Sequence, residues 1–332
     1  MDIRNRRELK AAARHSLANA ACDPRKLVLI HTLAAVAFAF VITALDFFLG
    51  DRIEDTGGLG GLGLRSILST VQSVLRLVNL VILPFWEVGY IHAAMSIARG
   101  KEVQPRSLLE GFRRWGVVLR SNLIQITLYF CVGMTCFYLS MILFMLTPLS
   151  TPLYTILAPY TNDANAALAD PAVVAAVTQA AIPMLILFLA VFALVALPMA
   201  YHFRMVNYAL LDDPKAGAFA ALRRSRLATH GDRFQLFRLD LSFWWFYLAQ
   251  ALLGVVCYGD LILSAVGIEL PFSGTVSFFA FYVLSLALQI LLYVLKRNQV
   301  AVTYAHAYDA LIGAPEEPPA APVQPRNNPW EY

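Results

Sequence analysis

Charge is scarce in this chain. Asp, Glu, Lys and Arg make up 14% of its 332 residues, where soluble domains carry about 25%. With 59% hydrophobic residues, a soluble fold would expose large apolar patches. The composition therefore excludes an ordinary soluble protein and makes lipid the expected solvent for most side chains. Cysteine is scarce too. Cys22, Cys131, Cys136 and Cys257 form no C-x-x-C pair and no Cys/His cluster of zinc-finger spacing, so they read as small packing residues. No G-x-S-x-G, H-E-x-x-H, Walker or dinucleotide motif occurs, so neither enzyme chemistry nor a cofactor is expected. The glycine-rich residues 57–63 lack the Lys-Ser/Thr of a phosphate loop and read as a flexible connector. No cleavable leader is expected from the first 26 residues, which hold seven Lys and Arg and no central apolar block.

What is present is a series of six apolar runs, at about 27–49, 71–98, 117–146, 173–197, 241–265 and 276–295. Each can cross the roughly 30 Å of a bilayer's hydrocarbon as a helix. The expected fold is all-α: a polytopic membrane bundle of about six transmembrane helices. Lys and Arg alternate across it. All but Arg52, Arg65 and Arg76 of the 26 basic residues fall before the first run, between runs two and three or at the start of run three, between runs four and five, or beyond the end of run six. By the positive-inside rule both termini are expected in the cytoplasm of a bacterial cell, with the protein in its plasma membrane. The net charge of +4 follows from this topology, and nucleic acid is not an expected partner. Residues 314–332 are proline-rich and expected to be a disordered cytoplasmic tail.

The two long basic connections resemble each other. The stretch Ser107-Leu108-Leu109-Glu110-Gly111-Phe112-Arg113-Arg114 stands 110 residues before Gly217-Ala218-Phe219-Ala220-Ala221-Leu222-Arg223-Arg224. Each is expected to form an amphipathic interfacial helix, within repeat halves of roughly 71–146 and 173–265. Leu108, Leu109, Phe112 and Trp115 would share one face, as would Phe219, Leu222 and the stem of Arg226. Arg113, Arg114, Arg223, Arg224 and Arg226 are candidate contacts to anionic lipid phosphates; the plainer reading is membrane anchoring. Residues 1–26 form a third amphipathic candidate, with Leu9, Ala13 and Leu17 on one side, expected on the inner membrane surface.

Polar residues inside the runs mark a candidate site. Arg76, Asn79, Glu87 and Tyr90 fall within about 60° of one another on a helix, with Pro84 between them as an expected kink. Charge in lipid is costly and normally faces a bundle interior. Arg76 and Glu87 lie roughly 16 Å apart along the axis, so Glu87 needs a proton or a partner from another helix. The sixth run offers Ser285, Gln289 and Lys296 on one face; Asp240 lies at the fifth run's cytoplasmic end. Arg76, Asn79, Glu87, Tyr90, Gln289 and Lys296 are thus the candidate intramembrane polar site, read either as a pathway or as a network fixing helix register. His92, His202 and His306 recur in similar settings, but no metal site is expected from them.

Three stretches carry a family likeness: Arg6 to Ala13 (RRELKAAA); Tyr208 to Pro214 (YALLDDP) with the following Ala221 to Arg226 and Gly231; and Leu236 to Trp244 (LFRLDLSFW). On these the chain resembles DUF975, an uncharacterised family of bacterial integral membrane proteins, up to about Gly313. It departs from the family's pattern at Ala228-Thr229-His230. More distantly it is similar to the membrane domain fused to some glycerophosphodiesterases. The resemblance implies a six-span membrane protein and assigns no catalytic residue. Two functions follow as expectations: binding or moving a small molecule or lipid through a polar interior, or a scaffold docking a cytoplasmic partner through basic interfacial helices.

Overall fold

The structure, a computed structural model, describes residues 2–55, 62–160, 170–213, 215, 217–265 and 274–313. Much of the glycine-rich connector and the proline-rich tail lie outside the described residues. Helices make up nearly all of the rest, and no strand occurs among the described residues. In chain order they are α1 (Arg6–Ala18), α2 (Pro24–Asp55), α3 (Leu62–Ala98), α4 (Glu110–Arg113), α5 (Trp115–Met145), α6 (Thr151–Leu157), α7 (Pro171–Phe203), α8 (Val206–Asp212), α9 (Ala218–Ala228), α10 (Arg233–Leu241), α11 (Trp244–Cys257), α12 (Gly259–Ala265), α13 (Gly274–Leu292) and α14 (Asn298–Ile312). Five helical segments are long and apolar enough to cross a membrane, and α10 with α11 supplies a sixth if that bent pair counts as one span.

Local chemistry sets the helix ends. The Asn5 side chain accepts from the Glu8 N–H at 3.3 Å and caps α1. Asp170 caps α7 by accepting from the Ala172 N–H at 2.8 Å, with Pro171 at the first helical position. α3 stops at Gly100, whose φ of 67° lets the Lys101 N–H turn back to the Ser96 carbonyl at 2.8 Å. It runs uninterrupted through Pro84.

Close packing makes two unit-like regions. One comprises Met1–Leu119 and Met205–Tyr332, the other Arg120–Arg204. In the second, Phe188 of α7 stacks on Phe192 at 5.6 Å and meets Phe137 of α5 edge-on at 6.1 Å. Its outer surface is apolar, with Leu146 and Leu194 more than three-quarters exposed, as expected of a surface solvated by lipid.

In the first unit the core gathers Ala13, Leu27, Val28, Tyr90, Ala93, Ile97, Leu108 and Val302. α1 belongs to it. Leu9 and Ala13 are fully buried and α1 packs on α14 and α3, so its apolar face is spent on protein and not on the membrane surface. Amphipathicity alone does not distinguish those two solvents.

Four further expectations are revised. The first basic connection is not one amphipathic helix. It is a 3₁₀ turn over Pro105–Leu109, then the four-residue α4, then a break at Arg114. Leu108 is buried there while Trp115 is 64% exposed. Two backbone approaches force this shape: the Leu108 carbonyl sits over Gly89, and Gly111 sits against the Phe85 carbonyl. In the second connection α9 is a true helix, but its buried face is Ala218, Ala221, Leu222 and Ser225, and Phe219 points outward at 76% exposure. The fifth apolar run is broken: α10 and α11 meet at 65°. Lastly, the sixth run continues past α13 through a π-helical turn, Tyr293–Arg297, into α14.

Candidate functional site

A charged pair lies within the first unit, beside its core residue Tyr90. Glu87 of α3 forms an ion pair with Arg297, the last residue of the π turn. The two are unequal in burial: the Arg297 side chain is 14% exposed and that of Glu87 is 49%. Arg297 is held from several directions. Its guanidinium carbon is 4.5 Å from the ring centroids of both Tyr90 and Tyr293, a double cation–π contact. His31 of α2, almost fully buried, donates from Nε2 to the Trp86 carbonyl at 3.0 Å. That leaves Nδ1 as an acceptor, 3.4 Å from an Arg297 nitrogen.

A neutral network extends the centre. The Tyr90 hydroxyl donates to Asn298 Oδ1 at 2.8 Å, and the Asn298 amide donates to the Pro24 carbonyl at 2.7 Å. Gln250 of α11 and Gln289 of α13 both donate to the Tyr293 hydroxyl, at 2.8 and 3.3 Å. Groups from α2, α3, α11, α13, the π turn and α14 thus converge. Burying a cation is costly unless it is paired and hydrogen-bonded; Glu87, the two tyrosine rings and the His31 Nδ1 offset that cost for Arg297 directly.

Of the residues the sequence singles out, Glu87, Tyr90 and Gln289 come together here. Lys296 does not pair with Glu87; its ammonium lies 5.4 Å from the Trp245 ring centroid instead. The π turn explains the exchange. A regular helix advances about 100° per residue, and one extra residue absorbed in a π turn sets the following chain back by about that angle. Arg297 therefore takes the bearing that a continuous α-helix would give Lys296. Arg76 is exposed, and Asn79 is half-buried with its Oδ1 fully enclosed and without a hydrogen-bond partner. His31, Tyr293, Gln250 and Asn298 carry no charge pattern or motif that a single sequence displays, so spacing does not find them.

A second ionic cluster ties the ends of four elements. Arg99, just past α3, meets Asp309 of α14 at 2.6 Å and Asp212 of α8 at 2.9 Å. Arg224 of α9 meets Asp212 at 3.2 Å, and the Tyr308 hydroxyl donates to Asp212 at 3.4 Å. Burial disfavours the charge on Arg99, but hydrogen bonds and attraction from Asp309 and Asp212 outweigh it and hold its pKa above the ordinary arginine value. Nearby, Asp240 accepts from the Tyr247 hydroxyl at 2.7 Å and from that of Tyr304.

The five arginines considered for lipid phosphates divide. Arg114 is committed to Glu110 at 2.8 Å and to the Leu210 carbonyl at 3.4 Å. Arg224 is committed to the Asp212 cluster. Arg113, 82% exposed in its side chain, and Arg223 and Arg226 point outward. The three histidines sit in different settings: His306 bonds Ser16 at 3.0 Å, His202 donates to the Pro198 carbonyl at 2.9 Å, and His92 keeps a buried, unbonded Nδ1. No group of three metal-ligating side chains occurs among the described residues.

No curated protein and no solved structure matches the chain, so the likeness to glycerophosphodiesterase membrane domains gains no support. One family profile matches residues 1–308, under the description "Protein of unknown function (DUF975)". With nearly the whole chain covered, from α1 to the last turn or so of α14, the protein belongs to the DUF975 family.

Proposed function

We propose that this chain is a non-enzymatic, multi-pass protein of the bacterial cell membrane, both termini cytoplasmic, that binds or moves a small molecule or lipid at the Glu87–Arg297 centre. The observation that carries the reading is the unequal pair. Arg297 is enclosed and fixed by aromatic and imidazole groups, while half of the Glu87 side chain stays open. A purely structural pair has no need of an accessible carboxylate, whereas an exchangeable one does, because a ligand's charged group can replace one partner without leaving the other buried alone. The enclosed, unpartnered Oδ1 of Asn79 on the same helix supports it as a further polar group awaiting a donor. Orientation rests on the Lys and Arg distribution.

The test compares wild-type protein with Glu87→Gln, both purified in mild detergent and shown to be folded. Native mass spectrometry reads the small molecules and lipids that remain bound, and growth of cells carrying each variant is followed in parallel. Loss or exchange of a bound species in Glu87→Gln is the expected result. Identical bound species together with identical growth would refute the reading.

One observation favours a second reading. Phe219, Arg223 and Arg226 are exposed together on α9, the composition of a docking surface for an acidic cytoplasmic partner. Under it the protein is a scaffold, and Glu87→Gln would leave bound species unchanged while Arg223→Gln with Arg226→Gln would abolish function.

A further inference from the structure

Away from the Glu87–Arg297 centre, a cavity of about 390 Å³ opens between the start of α1 and the α10–α11 corner. Its lining is Arg4, Asn5, Arg6, Arg7, Lys10 and Ser242. Four of the six carry positive charge and none is acidic. The volume falls at the low end of small-molecule sites, which run about 300–1,000 Å³.

The cations are brought together by two devices. Arg6 and Lys10 are one helical turn apart on α1, and Arg7 and Lys10 are three residues apart, so all three share one side. Arg6 and Lys10 are then anchored by carbonyls of the facing corner. Arg6 donates to the Arg238 carbonyl at 3.3 Å, and Lys10 Nζ donates to the Ser242 carbonyl at 2.8 Å while lying 3.9 Å from the Phe243 ring centroid. An ammonium has three donors and a guanidinium five, so both anchored groups keep donors to spare. Arg4 and Arg7 are freer still: neither side chain has a hydrogen-bonded or ionic partner among the described residues. Burial, then repulsion from Arg6 and Arg14, pushes the Lys10 pKa down, as happens where like charges crowd without a counterion. Asp2, next to Arg4 but one, accepts from the Arg4 backbone N–H at 2.9 Å, and neither it nor any other acid lines the cavity.

We infer that this cavity is a binding site for a phosphate-bearing anion, held by Arg4 and Arg7 in exchangeable contacts and by Arg6 and Lys10 in prepositioned ones. Phosphate is favoured over a carboxylate because its tetrahedrally arranged oxygens can meet several guanidinium forks from different directions at once. The shared chemistry is that of a phosphomonoester, a diphosphate or an anionic phospholipid headgroup.

The experiment uses the full-length protein in dodecyl maltoside. Thermal midpoints are followed against increasing phosphatidylglycerol, phosphatidylcholine and sodium pyrophosphate, with sodium chloride at matched ionic strength as reference. Wild type is expected to be stabilised, saturably, by phosphatidylglycerol, by pyrophosphate or by both, and not by phosphatidylcholine. Phosphatidylglycerol alone assigns a lipid headgroup, and pyrophosphate alone a soluble phosphate compound. Arg4→Gln with Arg7→Gln, two side chains that support nothing else, should weaken the apparent affinity by about tenfold or more and leave the midpoint without ligand unchanged. Lys101→Gln, an exposed cation elsewhere on the surface, should retain wild-type affinity. The inference is overturned if neither phosphate species stabilises wild type beyond chloride, or if the double variant responds as wild type does. Neither outcome bears on Glu87, whose role is read from different bound species in a different variant.

Discussion

Gly89 and Leu108 meet backbone to backbone: a Cβ on Gly89 would lie 1.8 Å from the Leu108 carbonyl oxygen. No side-chain rotation relieves such a clash, because the obstructing atom is main chain. Gly89→Ala is therefore expected to push α3 away from the 3₁₀ turn and cost about 3 kcal/mol or more, at or beyond the upper end of ordinary overpacking. Gly116→Ala is the matched control. It has open space around the new methyl and lies inside α5, so it should be neutral or stabilise by up to about 1 kcal/mol. Thermal midpoints in detergent would decide, and equal midpoints for the two variants would contradict the packing described.

Arg99 is the cation shared by Asp212 and Asp309. Arg99→Gln leaves two partly buried carboxylates facing one another with only Arg224 nearby. A loss of about 1–3 kcal/mol is expected, less than for a fully enclosed pair because these side chains are about a fifth exposed. Adding Asp309→Asn to Arg99→Gln should recover part of the loss. A double-mutant cycle in urea with no coupling would remove Arg99 as the tie between α3 and α14.

Lys10 gives a pH signature. Its folded-state pKa lies below the ordinary 10.5, so between those two values the unfolded chain binds more protons than the folded one. Stability contributed by this group must then rise with pH through that window, the penalty being fully present below the folded value and gone above 10.5. Wild type minus Lys10→Met, measured from neutral to alkaline pH, should show a positive slope. A flat or falling difference would mean that Lys10 is not crowded as described.

Arg113 and Arg114 are neighbours with opposite expectations. Arg114→Gln should destabilise by about 1 kcal/mol through loss of Glu110 and the Leu210 carbonyl. Arg113→Gln should leave stability unaltered and lower association with anionic over zwitterionic vesicles. Vesicle flotation together with thermal melts separates the two. Equal melts would show that exposure is a poor guide here.

Helix number was legible because hydropathy over twenty residues reports a solvent, and lipid is the only solvent these runs fit. The polar face of α3 was legible for the same reason: Glu87 and Tyr90 cannot both be left in hydrocarbon. What the chain alone does not display depends on contacts far apart in it. Arg99 and Asp309 are separated by 210 residues, and nothing local in either announces the other. Helix α1 reads as a surface helix because the burial of Leu9 and Ala13 by α14 has the same periodicity as burial by lipid. Arg297 is misplaced by one position because a constant 3.6-residue period contains no signal for a π turn.

That turn leaves the last helix with one residue more than its contacts require. Its part before the turn, α13, is keyed by contacts with α11, its part after it by Asn298, His306 and Asp309, and the surplus residue reconciles the two settings. Removing Val294 would straighten the turn into ordinary α-helix with both keyed ends still in place. Sliding the surplus toward the C-terminus would instead bring Lys296 opposite Glu87 and carry Arg297 off the tyrosines, so the segment behaves like a vernier, with two cations as alternative graduations of a single position.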